Sequence, residues 1–195
     1  MKSSRLSTQG FVNRHRKLLF SLATTALTIY LILVPSQWRL PDTGAFAAEL
    51  IGAILIFAGI LGRILATISI GGQKDRDIIQ TELYSVCRNP LYFASFLMAT
   101  GVGLLSARPD FMLLVTTAYL AIFYPMMINE AGYLRSRFED FADYEARVPL
   151  FLPKFNLWQE RDRFEISFRL VRRTLFDASL ALLAVPVMFL IRVFG

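Results

Sequence analysis

Two apolar stretches, Leu91 to Ser106 and Phe111 to Ile128, contain no Asp, Glu, Lys, Arg or His and are separated only by Ala107-Arg108-Pro109-Asp110. Runs of this kind suit the hydrocarbon of a bilayer, which takes roughly 20 apolar residues to cross. The short break makes them a tight hairpin, so their outer ends return to one membrane face. At one end stands Arg88-Asn89-Pro90-Leu91-Tyr92, and at the other Asn129-Glu130. Opposite charges delivered to the same face can grip one small zwitterionic ligand.

Further apolar runs at Leu18 to Val34, Ala45 to Ile70 and Leu175 to Ile191 bring the expected crossings to five, the second long enough to extend beyond the hydrocarbon. With 55% hydrophobic residues in a chain of 195, an ordinary soluble domain is excluded. The expected fold is all-α: an integral membrane protein of about five transmembrane helices, with cytoplasmic helical segments capping a pocket between the third and fourth spans. The net charge of +6 follows topology and forms no single patch, which argues against nucleic acid as a partner. Every Lys and Arg except Arg39, Arg108 and Arg192 falls on one side of the expected spans. That asymmetry puts the N-terminus in the cytoplasm and the C-terminus on the opposite side.

Four segments follow: a basic tail over 1–17, an apolar hairpin over 18–70, a core rich in unusual polar residues over 71–159, and a charged helix with a last span over 160–195. The first run exceeds a signal-peptide core and no small-x-small cleavage site directly follows it, so it is expected to stay as a span. Pro35-Ser36-Gln37-Trp38 then reads as an interface turn with an aromatic anchor. Gly71-Gly72, followed by the charged residues from Lys74 to Asp77, marks a cytoplasmic break. From Gly132 to Ala146, Leu134, Phe138, Phe141 and Tyr144 recur at helical spacing among charges, predicting an amphipathic helix that Pro149 and Pro153 end. Glu160 to Arg173 predicts an interfacial helix facing anionic lipid. Cys87 is the only cysteine and His15 the only histidine. An intrachain disulfide is excluded, and no metal site or histidine triad is expected in the core.

Glu82 to Tyr92, then Gly101-Val102-Gly103, Asn129-Glu130, Leu134, Phe138, Tyr144 and Val148-Pro149, resemble the C-terminal core of the isoprenylcysteine carboxyl methyltransferase and phospholipid methyltransferase superfamily. The resemblance spans roughly Lys74 to Pro153. It implies a multi-span membrane enzyme that holds S-adenosylmethionine near the cytoplasmic face and takes its acceptor from lipid, with 71–159 as the methyltransferase-like core. The usual pattern reads Arg-His-Pro-x-Tyr and Glu-Glu. Asn89 stands here for the His and Asn129 for the first Glu, keeping hydrogen-bonding capacity without the charge.

The residues themselves fit that cofactor. Arg88 suits its carboxylate as a fork of fixed donors, and Glu130 suits its ammonium. Tyr84, Tyr92 or Tyr144 can stack on the adenine or the cation. Gly101 and Gly103 allow a ligand or another helix close to the backbone, and Pro90 suits the first turn of a span. Asn89, Pro90 and Asn129 complete the expected cofactor site. For the reaction, Glu130 is a candidate base, while Arg147, with Arg135, Arg137 and Lys154, can orient an anionic acceptor. The expected partners are a lipid or lipidated substrate and the membrane itself. Three acceptors fit: an isoprenylcysteine-type carboxylate, a phosphatidylethanolamine-type amine, or another lipid headgroup. A carboxylate needs no deprotonation, which favours it where bases are scarce. Two other classes stay open, a small membrane transporter and a non-catalytic scaffold. Arg88 also suits the plain role of marking the end of a span, Gly101 and Gly103 that of helix packing, and Glu49 and Asp177 that of pairing with basic residues.

Overall fold

The computed structural model describes residues 2–34, 40–71, 78–162 and 166–188, with side chains from residue 18 onward. Among the described residues it is all-helical: α1 (Lys2–Leu33), α2 (Asp42–Ile70), α3 (Leu83–Val86), α4 (Pro90–Leu105), α5 (Pro109–Arg137), α6 (Phe141–Arg147) and α7 (Phe168–Ser179), with 3-10 turns at Phe155–Leu157 and Leu180–Leu183. Helices α2 and α5 are long and apolar enough to cross a membrane, while Leu18–Leu33 of α1 and the whole of α4 are shorter apolar helices. Phe20 and Ile32 on α1, Phe46 and Phe57 on α2, Leu113 on α5 and Phe176 on α7 all stand exposed. So wide an apolar surface is stable only when lipid covers it. This is a membrane protein. The turn around Trp38, the loop at 72–77 and the last residues of the expected fifth span lie outside the described residues.

The tightest contact joins α2 to α4. A Cβ added at Gly52 would stand 2.7 Å from the Gly101 carbonyl oxygen, and one added at Gly101 would stand 2.6 Å from that of Gly52. Gly59 meets α4 as closely, its missing Cβ falling 2.5 Å from the Ala94 carbonyl oxygen. Small residues serve here because lipid tails exert no hydrophobic pull between helices, leaving close backbone packing to hold them. Ile56 and Ile60 of α2 bury against Leu105 of α4 and Ala178 of α7, and the Thr67 and Thr174 hydroxyls hydrogen-bond across the α2–α7 contact at 3.0 Å. Helix α7 thus runs along the free side of α2.

At the far end of the α4–α5 hairpin, Arg108 is only 5% exposed. It pairs with Asp110 at 2.9 Å and donates to the Val34 carbonyl at 2.9 Å, satisfying an acceptor left over where α1 ends. Tyr30 of α1 donates to the same Asp110 at 2.9 Å. The hairpin turn itself needs Ala107 at φ 51. Its carbonyl accepts from Leu40 N–H at 3.2 Å, tying the entry to α2 to the same corner.

Helix α5 has 29 residues and so runs about 44 Å, well past a hydrocarbon layer of roughly 30 Å. Its last turns carry Asn129 to Arg137 beyond the membrane. Pro125 within it offers no N–H to the preceding turn, which locally weakens the helix. Two sequence expectations are corrected here. The helix expected from Gly132 to Ala146 breaks at Phe138, whose extended backbone closes α5. The break lets Phe141 and Tyr144 of α6 fold back against Ala131. The helix expected from Glu160 begins only at Phe168, because Arg161 is held in a non-helical stretch by Glu82 and Thr81. From Phe168 the basic helix leads through the 3-10 turn at Leu180–Leu183 into the apolar segment.

The glycine contact makes a stability prediction. Gly52→Val and Gly101→Val should each lower unfolding stability in detergent by about 1–3 kcal/mol. At Gly132, where an added Cβ meets nothing within 4 Å, Gly132→Ala should raise it by about 0.5–1 kcal/mol. Thermal unfolding of the three variants in one detergent checks both signs.

Candidate functional site

After α6 the chain turns back over α3 and the start of α4 as a strap. Arg88 N–H donates to the Pro149 carbonyl at 2.9 Å, Lys154 N–H to that of Val86 at 2.9 Å, and Glu82 N–H to that of Gln159 at 2.7 Å. The Asn89 amide donates to the Leu150 carbonyl at 3.0 Å, and the Tyr144 hydroxyl to that of Tyr84 at 2.8 Å. Arg161 closes the strap, its N–H donating to the Glu82 carboxylate at 3.0 Å. These bonds hold Glu82 at φ 51, a left-handed backbone that costs about 1–3 kcal/mol in a non-glycine residue. Arg88 is thereby fixed at the mouth of α4, which Pro90 opens from the first-turn position.

The Arg88 guanidinium pairs with Glu145 of α6, and Arg135 at the end of α5 pairs with the other oxygen of the same carboxylate. Hydrogen bonds from Arg135, then those from Arg88, hold the Glu145 carboxyl below its ordinary range in spite of its partial burial. Arg88 Nε is buried with no hydrogen-bond partner among the described residues. Across the mouth the Tyr92 hydroxyl donates to Glu130 at 3.3 Å, and Glu130 is exposed on α5. Burial and then the nearby Glu130 charge push the Tyr84 phenol well up, so it stays a neutral donor. Burial also pushes the Cys87 thiol up to about 11, and its sulfur lies 3.0 Å from the Phe151 carbonyl oxygen.

Arg88, Tyr84, Tyr92 and Glu130 gather at one end of the hairpin, as the sequence leads one to expect. The other expected residues are placed differently. Tyr144 is 3% exposed, its ring packs edge-on to Phe141, and it borders the small cleft of Arg147 described below rather than the mouth at Glu130. Asn89 is spent on Leu150. Gly101 lies about 16 Å along α4 from its first residue, Pro90, and it and Gly103 are filled by helix packing, against Gly52 and Met112 respectively. Asn129 is exposed beside Glu130. Arg147, two residues from Glu145 and so on the opposite side of α6, donates to Gln80 at 2.8 Å. It lines a separate small cleft with Gln80, Ser85 and Gln159 and does not join Glu130. The partner missed for Arg88 is Glu145, whose only sequence signal is an acid placed on the apolar-spaced segment after α5. Along the chain Arg63 is one more charge on the basic side of the spans. Its guanidinium reaches Ser95 of α4.

Two outcomes follow from these environments. Glu145 has a lowered folded-state pKa, so its contribution is full above its unfolded value near 4.3 and is lost as pH falls through the depressed value. Glu145→Gln should therefore lower the unfolding midpoint at pH 7 and flatten its decline below pH about 4, as a pH series of thermal melts checks. The shielded, high-pKa thiol of Cys87 should label with a maleimide on the order of 10-fold more slowly in the folded protein than after denaturation at pH 7.5.

Among the described residues no group of three or more His, Cys, Asp and Glu is placed to hold a metal ion. A family model described as phospholipid methyltransferase matches residues 47–140, a stretch that contains Arg63, Arg88, Tyr92 and Glu130. The nickel-cobalt-cadmium resistance protein NccN of Alcaligenes xylosoxydans xylosoxydans is 31% identical over 171 residues, covering 87% of this chain and 79% of that protein. The cobalt-zinc-cadmium resistance protein CzcN of Cupriavidus metallidurans is 26% identical over 173 residues, covering 87% of this chain and 78% of that one. No solved structure matches the chain at a significant level. The membrane helices, the polar mouth of the α4–α5 hairpin and these relatives lead to one conclusion: the chain belongs to the phospholipid methyltransferase family of membrane proteins.

Proposed function

We propose that this chain is an S-adenosylmethionine-dependent methyltransferase acting on an amphiphilic acceptor at the cytoplasmic membrane face. Its N-terminus would lie in the cytoplasm and its C-terminus across the membrane, with 71–159 as the catalytic core and the first two spans as its support. The observation that carries this reading is the mouth of the α4–α5 hairpin. There a shielded arginine has a buried N–H without a partner, while an exposed carboxylate stands beside Tyr92. A zwitterionic amino acid moiety has the complementary carboxylate and ammonium, so the residues present fit the cofactor. Arg88 would hold the carboxylate and Glu130 the ammonium, with Tyr84 and Tyr92 beside them.

S-adenosylmethionine supplies an electrophilic methyl whose bond to sulfur breaks as an acceptor lone pair attacks, the bonding pair staying on the sulfur. The chain's residues have no covalent bond to make. They align the reactants and keep water out, and alignment alone is worth about 7–11 kcal/mol of barrier in well-oriented reactions. An isoprenylcysteine-type carboxylate or another anionic headgroup attacks as it stands. A phosphatidylethanolamine-type amine, the alternative acceptor, first gives up a proton, for which Glu130 is the placed carboxylate.

The names of the relatives support a second, cellular reading, in which this methyl transfer contributes to tolerance of cations such as nickel, cobalt, cadmium or zinc. Growth of a deletion strain complemented with wild type or Arg88→Ala/Glu130→Ala, with and without those salts, tests it. Equal tolerance would sink it.

The methyltransferase reading is tested by calorimetric titration of the purified chain with S-adenosylmethionine and its demethylated product. Saturable binding in the micromolar range, about −8 kcal/mol, should weaken at least about 100-fold, or roughly 2.7 kcal/mol, in Arg88→Ala/Glu130→Ala. Folded protein that binds neither compound would overturn the proposal.

A further inference from the structure

Arg63 lies inside α2, about two turns before the end of a helix long and apolar enough to cross the membrane. A guanidinium at such a depth is expensive unless it meets an anion. Among the described residues the hydrogen bond Arg63 makes is to a neutral group, the Ser95 hydroxyl, and it stands in none of the ion pairs. Ser95 spends its own proton on the Leu91 carbonyl at 2.8 Å, so it offers the guanidinium an oxygen and no charge. Asp177 on α7 is near enough for its charge to act on Arg63, but its ion pair is with Arg173, one turn away on α7, at 3.9 Å. Among the described residues the other donors of the Arg63 fork make no further hydrogen bond, so the fork can take an oxyanion as well as the serine.

The place of Ser95 on α4 says where that oxyanion would sit. It follows Tyr92 by three residues, so the two stand on one stripe of α4, about one turn apart. Tyr92 faces Glu130 at the mouth, and the Tyr119 hydroxyl donates to the Tyr92 carbonyl at 2.7 Å. A polar path thus leads from the mouth down α4 to Arg63, whose guanidinium meets α4 about 8 Å below its first residue.

We propose that Arg63, with Ser95 beside it, is the binding site for the anionic group of a membrane amphiphile, a phosphate or carboxylate carried on a hydrocarbon chain. Resting on the methyl-transfer reading, it also makes this amphiphile the acceptor, held by its charge at Arg63 with its head directed up toward Tyr92 and Glu130. Arginine suits the task because its planar fork matches both oxyanions and stays charged at any working pH.

The test uses the full chain in an uncharged maltoside detergent, titrated with dioctanoyl phosphatidic acid, with laurate and, for comparison, with uncharged dioctanoylglycerol. At least one anionic probe should bind about tenfold or more tightly than dioctanoylglycerol. Which one does so tells phosphate from carboxylate. Arg63→Gln should abolish that preference, and Arg63→Lys, which keeps the charge but not the fork, should retain part of it. Equal binding of charged and uncharged probes by wild type, or an undiminished preference in folded Arg63→Gln, overturns the proposal. Should Arg63→Gln fail to fold, a photoreactive analogue of the preferred probe on wild-type protein decides. Labelling of α2 around Arg63 or α4 around Ser95 supports the site, and labelling confined to the exposed arginines of α7 overturns it. Titration of the wild type with S-adenosylmethionine runs as a separate arm. Its failure alone removes the methyl-transfer reading and leaves the anion site standing.

Discussion

The approach of α2 to α4 at Gly52 and Gly101 sets the position of almost everything else. Two backbones that nearly touch have one relative depth and one rotation, since any side chain in the gap would separate them. That register is what lets an arginine on α2 reach a serine on α4. It also leaves the other flank of α2 free for α7, whose Ala178 is buried there at 1% exposed. Helix α5 depends on it indirectly, because the hairpin turn that joins it to α4 is itself pinned by Arg108 to the end of α1.

The two ends of the hairpin handle charge in different ways. At the far end Arg108 is consumed by Asp110 and by backbone carbonyls, a closed arrangement with a structural purpose. At the mouth, one carboxylate is shared between two arginines. The total charge of that trio stays positive, and the more shielded member keeps an unsatisfied donor. Buried N–H groups are nearly always paired, so an orphan of this kind is costly and calls for an explanation. A ligand carboxylate is one, in line with the methyl-transfer function proposed above.

Much of this was legible along the chain because it is local. Apolar runs named the membrane helices, Pro90 marked the first turn of α4, and Gly71, at φ 56, closes α2 where paired glycines announced a break. The clustering of Arg88, Tyr92 and Glu130 followed from a hairpin with a four-residue break. What could not be read was long-range. Glu145 lies 57 residues from Arg88, and its capture depends on α5 breaking at Phe138, a break that the helical spacing of Leu134, Phe138 and Phe141 conceals. Arg161 looked like one more charge on an amphipathic helix because nothing nearby reveals its partnership with Glu82. Gly101 and Gly103 carried the opposite ambiguity. Their smallness was visible, but whether a ligand or a helix exploits it depends on which glycines stand opposite.

The strap that binds residues 148–161 over the start of α4 also has a consequence for how the molecule is made. Synthesis delivers α1, α2, α4 and α5 to the bilayer before the strap leaves the ribosome, so the membrane helices insert while the stretch from Glu82 to Arg88 still lacks its covering. The mouth is completed only when Pro149, Lys154 and Arg161 arrive to take up their bonds. A nascent chain halted ahead of the strap would be membrane-embedded yet unfinished at its polar end, which gives quality-control machinery a specific exposed segment to recognise.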